Sequence, residues 1–157
     1  MLEKIKKILL KKKKEKIVSL TAYSKNFSKI LDNYCDIILV GDSVGMVVFG
    51  MDTTQNVDLN MMIRHGQAVM RRRQKSLVII DLPAGSYEKS PRQALASANR
   101  ILDETGADGV KIEGGRGMVD HVALLVGSGI AVLAHIGLLP QHVSSSSGFR
   151  ITGRTTE

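Results

Sequence analysis

Four short segments limit what this chain can fold into. DIILVG (36–41), SLVIIDLP (76–83), DGVKIEGG (108–115) and IAVLAHIG (130–137) are apolar at nearly every position. A strand with one face in water alternates apolar and polar residues, whereas a strand apolar throughout is covered on both faces. A fifth segment, IVSLTAY (17–23), precedes them. Helix-length stretches lie between these runs, and strands alternating with helices build right-handed βαβ units around a parallel sheet. The chain therefore reads as α/β. An open doubly wound sheet and a (βα)8 barrel are the candidates, although five strands fall short of the eight strands and roughly 250 residues of a closed barrel.

Local signals place the helices. NFSKILDNY follows the first strand. Asp58 reads as the N-cap of LNMMIRHGQAVMRRRQ. Ser90-Pro91 sets an N-cap with proline at the first helical position. Ala94, Leu95, Ala98, Ile101 and Leu102 form one apolar stripe on that helix, which Gly106 ends. A further helix runs through MVDHVALLVGS, while GMVVFGMDTTQNV (45–57) and the stretch from Gln141 onward read as loop.

Charge is concentrated at one end. Residues 1–16 hold eight lysines and two glutamates, which is six of the net +7 charges, so the remaining body is near neutral. Leu2, Ile5, Ile8 and Leu9 fall at helical spacing, which predicts an amphipathic helix lying on the domain with a solvated lysine face. The basic residues are not interleaved with aromatic and polar ones across the fold, as a nucleic-acid surface requires. The expected organisation is a Lys-rich helix over 1–16, a partial (βα) barrel domain over 17–143 and a polar, Ser-rich tail over 144–157. A single cysteine, Cys35, excludes an intramolecular disulfide and a Cys-based zinc site, and fits a cytoplasmic protein. No apolar run reaches the roughly 20 residues that a membrane span needs.

Aligned by their carboxyl ends, the strands finish in polar residues: Asp42 after the second, Asp81 in the third, Lys111 and Glu113 in the fourth, His135 in the fifth. In parallel α/β folds these ends share one rim, and ligands bind there. Each residue alone has a plainer explanation as a turn, cap or ion pair, but recurrence in successive βα units points to a site. Three carboxylates at one rim repel each other, and a divalent cation reverses that cost. An all-oxygen set favours a hard ion, Mg2+ over Zn2+. The glycines of VGDSVGMVVFG (40–50) do not have the G-x-G-x-x-G spacing of a dinucleotide fingerprint. His65 and His121 fall on helices away from the rim.

LTAY (20–23), LVGDSVGMVVFG (39–50), DLPAGSY (81–87), VKIEGG (110–115) and AHIGLLPQHV (134–143) resemble, in order, the successive motifs of the ketopantoate hydroxymethyltransferase family. The resemblance implies a (βα)8 TIM-barrel type, here with about five of eight units, and a homo-oligomer, usually a decamer. It implies Mg2+ held by Asp42, Asp81 and Glu113. It also implies a substrate site made by Asp42, Ser43, Asp81 and Lys111, with His135 near the reacting atoms. The reaction it implies is hydroxymethyl transfer from 5,10-methylenetetrahydrofolate to 3-methyl-2-oxobutanoate through an Mg2+-stabilised enolate. The product is 2-dehydropantoate, in pantothenate biosynthesis. The family's base is a glutamate on a later strand, so the expectation is an N-terminal part that binds Mg2+ and 2-oxo acid without turnover. SSSSGFRITGR stands where the family has a glycine-rich lid segment, and Ser24 stands where an acid is usual. A related Mg2+-dependent 2-oxo-acid lyase or mutase of the same barrel type, and a non-catalytic remnant, are the alternative readings.

Overall fold

In the computed structural model, residues 2–143 are described. Five strands, β1 (Ser19–Thr21), β2 (Ile37–Val40), β3 (Leu77–Asp81), β4 (Gly109–Glu113) and β5 (Ala131–His135), form one sheet. All neighbours are parallel and the spatial order is the chain order, β1-β2-β3-β4-β5. That order separates the two candidate architectures. A doubly wound sheet reverses direction at a switch point and so covers both faces with helices. Right-handed crossovers that step one strand at a time in one direction put every helix on the same face, as in a barrel wall.

The register divides the side chains accordingly. Ile38, Val40, Val78, Ile80, Val110 and Ile112 point outward and are buried beneath the helices, against Met62, Ile63, Val69, Ala98, Ile101 and Leu125. The opposite, inner face carries Ile37, Leu39, Leu77, Ile79, Asp81, Gly109, Lys111, Glu113, Leu133 and His135. Gly109 is required there: a Cβ would come within 2.5 Å of the Ala131 carbonyl oxygen on the neighbouring strand.

Six helices accompany the strands: α1 (Leu2–Lys11), α2 (Lys25–Leu31), α3 (Val44–Phe49), α4 (Leu59–Met70), α5 (Pro91–Thr105) and α6 (Val119–Gly127). The expected caps form. Asp58 accepts from the Met61 N–H at 2.7 Å, Ser90 accepts from the Gln93 N–H at 3.2 Å, and Gly106 ends α5 at φ +70°. Ser24 caps α2 by accepting from the Phe27 N–H.

Two expectations are corrected. Residues 44–49 are helical, not loop: Gly50 ends α3 in the left-handed region, and Gly45 lets the helix meet Val57, whose Cγ2 would lie 2.6 Å from an added Cβ. Valines at 44, 47 and 48 lower helix propensity, so packing decides this element. The apolar stripe of α1 is also narrower than expected. Ile5 and Ile8 pack against Ile37, Leu77 and Ile79, plugging the amino-terminal end of the inner face, but Leu9 is 62% exposed. The side chain of Leu2 and the tail 144–157 lie outside the described residues. No helix among the described residues is long and apolar enough to cross a membrane.

The two ends of the sheet treat their carboxylates differently. At the amino-terminal end, Asp32 accepts the N–H groups of Gln74, Lys75 and Ser76 at 2.8–3.1 Å. Burial pushes its carboxyl up, but these donors outweigh it and hold the group below its ordinary range. Asp36 pairs with Lys11 at 2.7 Å and accepts from the Val18 N–H, which lowers its carboxyl as well. Asp108 bonds both Arg73 and the Val78 N–H. These groups pin elements together. At the opposite end one carboxylate, Asp42, receives only a single hydrogen bond from the described residues.

Candidate active site

The register places the reactive groups. Asp81 on β3 lies opposite Lys111 on β4, and Glu113 on β4 lies opposite His135 on β5. Side chains two residues apart share a face, so all four point inward at the carboxyl end. Val40 pairs with Ile80, which brings Gly41 level with Asp81. A Cβ on Gly41 would sit 2.9 Å from Ser43 Oγ and 3.5 Å from Asp81 Oδ2, so glycine keeps this space open. The chain then turns into α3, and the Asp42 N–H donates to Asp81 Oδ2 at 3.1 Å.

Hydrogen bonds fix each group. Lys111 Nζ donates to Asp81 Oδ1 at 2.9 Å. His135 Nδ1 lies 3.0 Å from Glu113 Oε2. Ser43 Oγ lies 2.8 Å from the Tyr23 hydroxyl. The Tyr23 carbonyl can only accept, so His65 Nδ1, 2.7 Å away, carries a proton. His65 also meets the rings of Tyr23 and Phe49 edge-on. It is thus one contact from the rim, closer than its place on α4 implied.

Charge at the rim is unbalanced. Asp42, Asp81 and Glu113 are 5%, 2% and 3% exposed, and they face one lysine and His135. Burial, then the neighbouring Asp81 charge, pushes the Asp42 carboxyl up to about 6; the Gln141 hydrogen bond and Lys111 oppose that rise. Burial also raises Asp81, and the Lys111 ammonium draws it back. The Asp42 carboxyl, pushed away from its ionised form, has no cationic partner bonded to it among the described residues. A divalent cation would supply that partner.

The geometry defines how such an ion fits. Among the described residues no three His, Cys, Asp or Glu side chains converge for direct ligation at one point. Mg2+ does not require that, because it keeps several waters and takes one or two carboxylates directly. Asp42 suits direct contact: its carboxylate receives only one hydrogen bond from the described residues, from Gln141. Both oxygens of Asp81 and both of Glu113 already face a proton-bearing group.

The structure brings together every residue expected at the rim: Asp42, Ser43, Asp81, Lys111, Glu113 and His135. Two others escaped sequence reasoning. Gln141, on a 3-10 turn (Pro140–His142) after β5, donates to Asp42 and to Glu113, and the Tyr87 hydroxyl donates to its side-chain oxygen at 2.7 Å. Both residues lie inside the recurring motifs, yet neither ends a strand, and strand ends were the signal in use. Two sizeable cavities lie elsewhere. One of about 470 Å3 is apolar, between α6 and the outer side of β5, lined by Ile112, Met118, Val122, Val126, Ala134 and Ile136. Another of similar volume lies beneath α1. The rim itself is open, because β5 pairs on one side only among the described residues.

Comparison with known proteins gives consistent results. A family model described as ketopantoate hydroxymethyltransferase matches residues 3–157. A 3-methyl-2-oxobutanoate hydroxymethyltransferase of Rhizobium rhizogenes is 54% identical over 141 residues, covering 90% of this chain and 52% of that protein. One of the same name from Bartonella bacilliformis is 55% identical over 147 residues, covering 94% of this chain and 54% of that protein. The chain thus spans about half the length of the curated relatives it matches. Among solved structures, 2,3-dimethylmalate lyase, of the PEP mutase/isocitrate lyase superfamily, superposes with TM-score 0.56 at 16% identity. That match covers 75% of this chain and 47% of the lyase. An oxaloacetate acetylhydrolase gives 0.54 at 10%, over 76% and 47%. These two likenesses bear on the fold alone.

Proposed function

Because this chain belongs to the ketopantoate hydroxymethyltransferase family, we propose that its rim is the cation- and 2-oxo-acid-binding part of a hydroxymethyl-transfer site. The observation that carries this is the excess of buried carboxylates over cations on one inner face, with the Asp42 carboxyl raised to about 6. The substrate in this reading is 3-methyl-2-oxobutanoate, the one-carbon donor is 5,10-methylenetetrahydrofolate and the product is 2-dehydropantoate.

Asp42 directly, with Asp81 and Glu113 through water, would hold Mg2+. When bound, the ion would act as a Lewis acid on the ketone and carboxylate oxygens, which acidifies the adjacent C–H. Lys111, a compact ammonium held by Asp81, would anchor the substrate carboxylate as a point charge. Ser43 would offer its hydroxyl from the loop that Gly41 keeps open, with Tyr23 orienting it. His135, oriented by Glu113, would meet charge developing at the far side of the substrate. In atom balance, the carbon next to the ketone loses a proton and forms a bond to the one-carbon unit, whose bonds to the two folate nitrogens break. Water supplies the hydroxyl group, and its other proton and the one taken from carbon end on the nitrogens of the released tetrahydrofolate. The base is assigned by resemblance to a later strand, so this chain by itself is expected to bind without turnover. Exposed Phe27, Ile30 and Tyr34 on or beside α2, and Val47, Val48 and Phe49 on α3, support assembly into a homo-oligomer.

Calorimetric titration of the purified chain tests this reading. Binding of 3-methyl-2-oxobutanoate should require Mg2+ or Mn2+ and vanish in EDTA. Metal-independent binding, or silence toward both ligands, would overturn the site. Hydroxymethyl transfer by the chain alone would overturn the assignment of the base.

A further inference from the structure

Outside the strand ends, one side chain holds the rim together. Gln141 is 5% exposed and uses its whole amide. Nε2 donates to Asp42 Oδ2 at 2.7 Å and to the Leu82 carbonyl at 2.9 Å, and Oε1 accepts from the Tyr87 hydroxyl at 2.7 Å. Its backbone N–H donates to Glu113 Oε1 at 2.7 Å. The amide has one good orientation. Flipped, its oxygen would face the Asp42 carboxylate and the Leu82 carbonyl, two acceptors with no proton to offer.

Position makes this residue more than a filled hydrogen-bond network. Asp42 follows β2 and Glu113 ends β4, so two strand spacings, about 10 Å, separate their origins. Nothing in the sheet fixes the distance between two side chains on non-adjacent strands. Gln141 reaches one with its backbone and the other with its side-chain amide, from a turn that Pro140 starts. The Gln141 carbonyl is tied in turn to Gln55 Nε2 at 3.1 Å. Its amide gives the Asp42 carboxylate the only hydrogen bond it receives from the described residues. Without that donor, Asp42 would be free to rotate away from the like charges of Asp81 and Glu113.

We propose that Gln141 is the positioning residue of this site: it clamps Asp42 and Glu113 at a fixed separation and leaves Asp42 Oδ1 aimed at a divalent cation. This rests on the metal-binding reading given above. Glutamine suits the task because it donates to a carboxylate and accepts from Tyr87 without adding charge.

The test is Mn2+ binding to the full chain, read from the electron paramagnetic resonance signal of free Mn2+. Wild type, Gln141→Met and Gln141→Asn are compared with Ile101→Val, a substitution in the buried face of α5 remote from the rim. Methionine keeps the volume and loses the amide; asparagine keeps the amide one methylene too short. Both should weaken Mn2+ binding by about 10- to 100-fold, the range seen when a partner of a metal ligand is removed. Ile101→Val should stay within about threefold whatever it does to melting temperature, because it touches no ligand or ligand partner. Wild-type affinity in either Gln141 variant overturns the clamp and leaves the metal site standing. Equal weakening by Ile101→Val assigns the effect to global stability and also overturns the clamp. No Mn2+ binding by wild type overturns the metal site, and the clamp with it.

Discussion

Replacing Asp42 by asparagine should stabilise the metal-free chain while abolishing its metal response. Burial and the Asp81 charge move the Asp42 carboxyl from an ordinary 3.8 to about 6. The folded state therefore binds the proton more tightly than the unfolded one, and the stability linked to this group is lost as pH rises from about 4 to 6. Above pH 6 the ionised form costs about 3 kcal/mol relative to the unfolded chain. Asparagine removes that cost and can still accept from Gln141 Nε2 through its own side-chain oxygen. Allowing for imperfect packing, a gain of about 1–3 kcal/mol is expected at pH 7.5 in EDTA. In urea denaturation followed by circular dichroism this moves the midpoint up by about 1 M. The gain should shrink as pH falls through 6 and disappear below about 4, where both states protonate Asp42. With Mg2+ in excess the order should reverse, because ligand stabilises only the form that binds it. A variant less stable than wild type at pH 7.5 without metal would refute the reasoning. So would a difference that does not change with pH, since either result makes the Asp42 carboxylate a net structural contributor.

Two further outcomes follow from the same geometry. Lys111→Met leaves buried Asp81 without its cation and should cost about 3–5 kcal/mol at pH 8. The cost should shrink as pH is lowered, because burial raises the Asp81 carboxyl and eases its protonation; urea titrations across a falling pH series check this, and calorimetry should show loss of 2-oxo-acid binding. Gly109→Ala places a methyl 2.5 Å from the Ala131 carbonyl on β5, backbone that cannot step aside, and should cost about 1–3 kcal/mol in the same assay.

Much of this molecule is determined by local sequence. Apolar runs such as SLVIID specify strands covered on both faces, and Asp58, Ser90 and Gly106 mark helix ends through short-range hydrogen bonds. Because successive βα units repeat, the residues ending each run could be placed on one rim before any contact was known. Asp42, Asp81, Lys111, Glu113 and His135 do meet there. Tertiary structure decided what local signals do not carry. Sequential strand order, which excludes the doubly wound alternative, depends on which strands pair. The α3 helix forms against the propensity of its valines because Gly45 allows it to pack on Val57. Leu9 has the spacing of a buried stripe but is exposed, since the inner face of the sheet accepts only Ile5 and Ile8. The bond that organises the rim joins Gln141 to Asp42 across 99 residues of chain. A hydrogen bond between residues so far apart has no periodicity or cap to announce it. It exists only once the strands have brought both ends to the same edge.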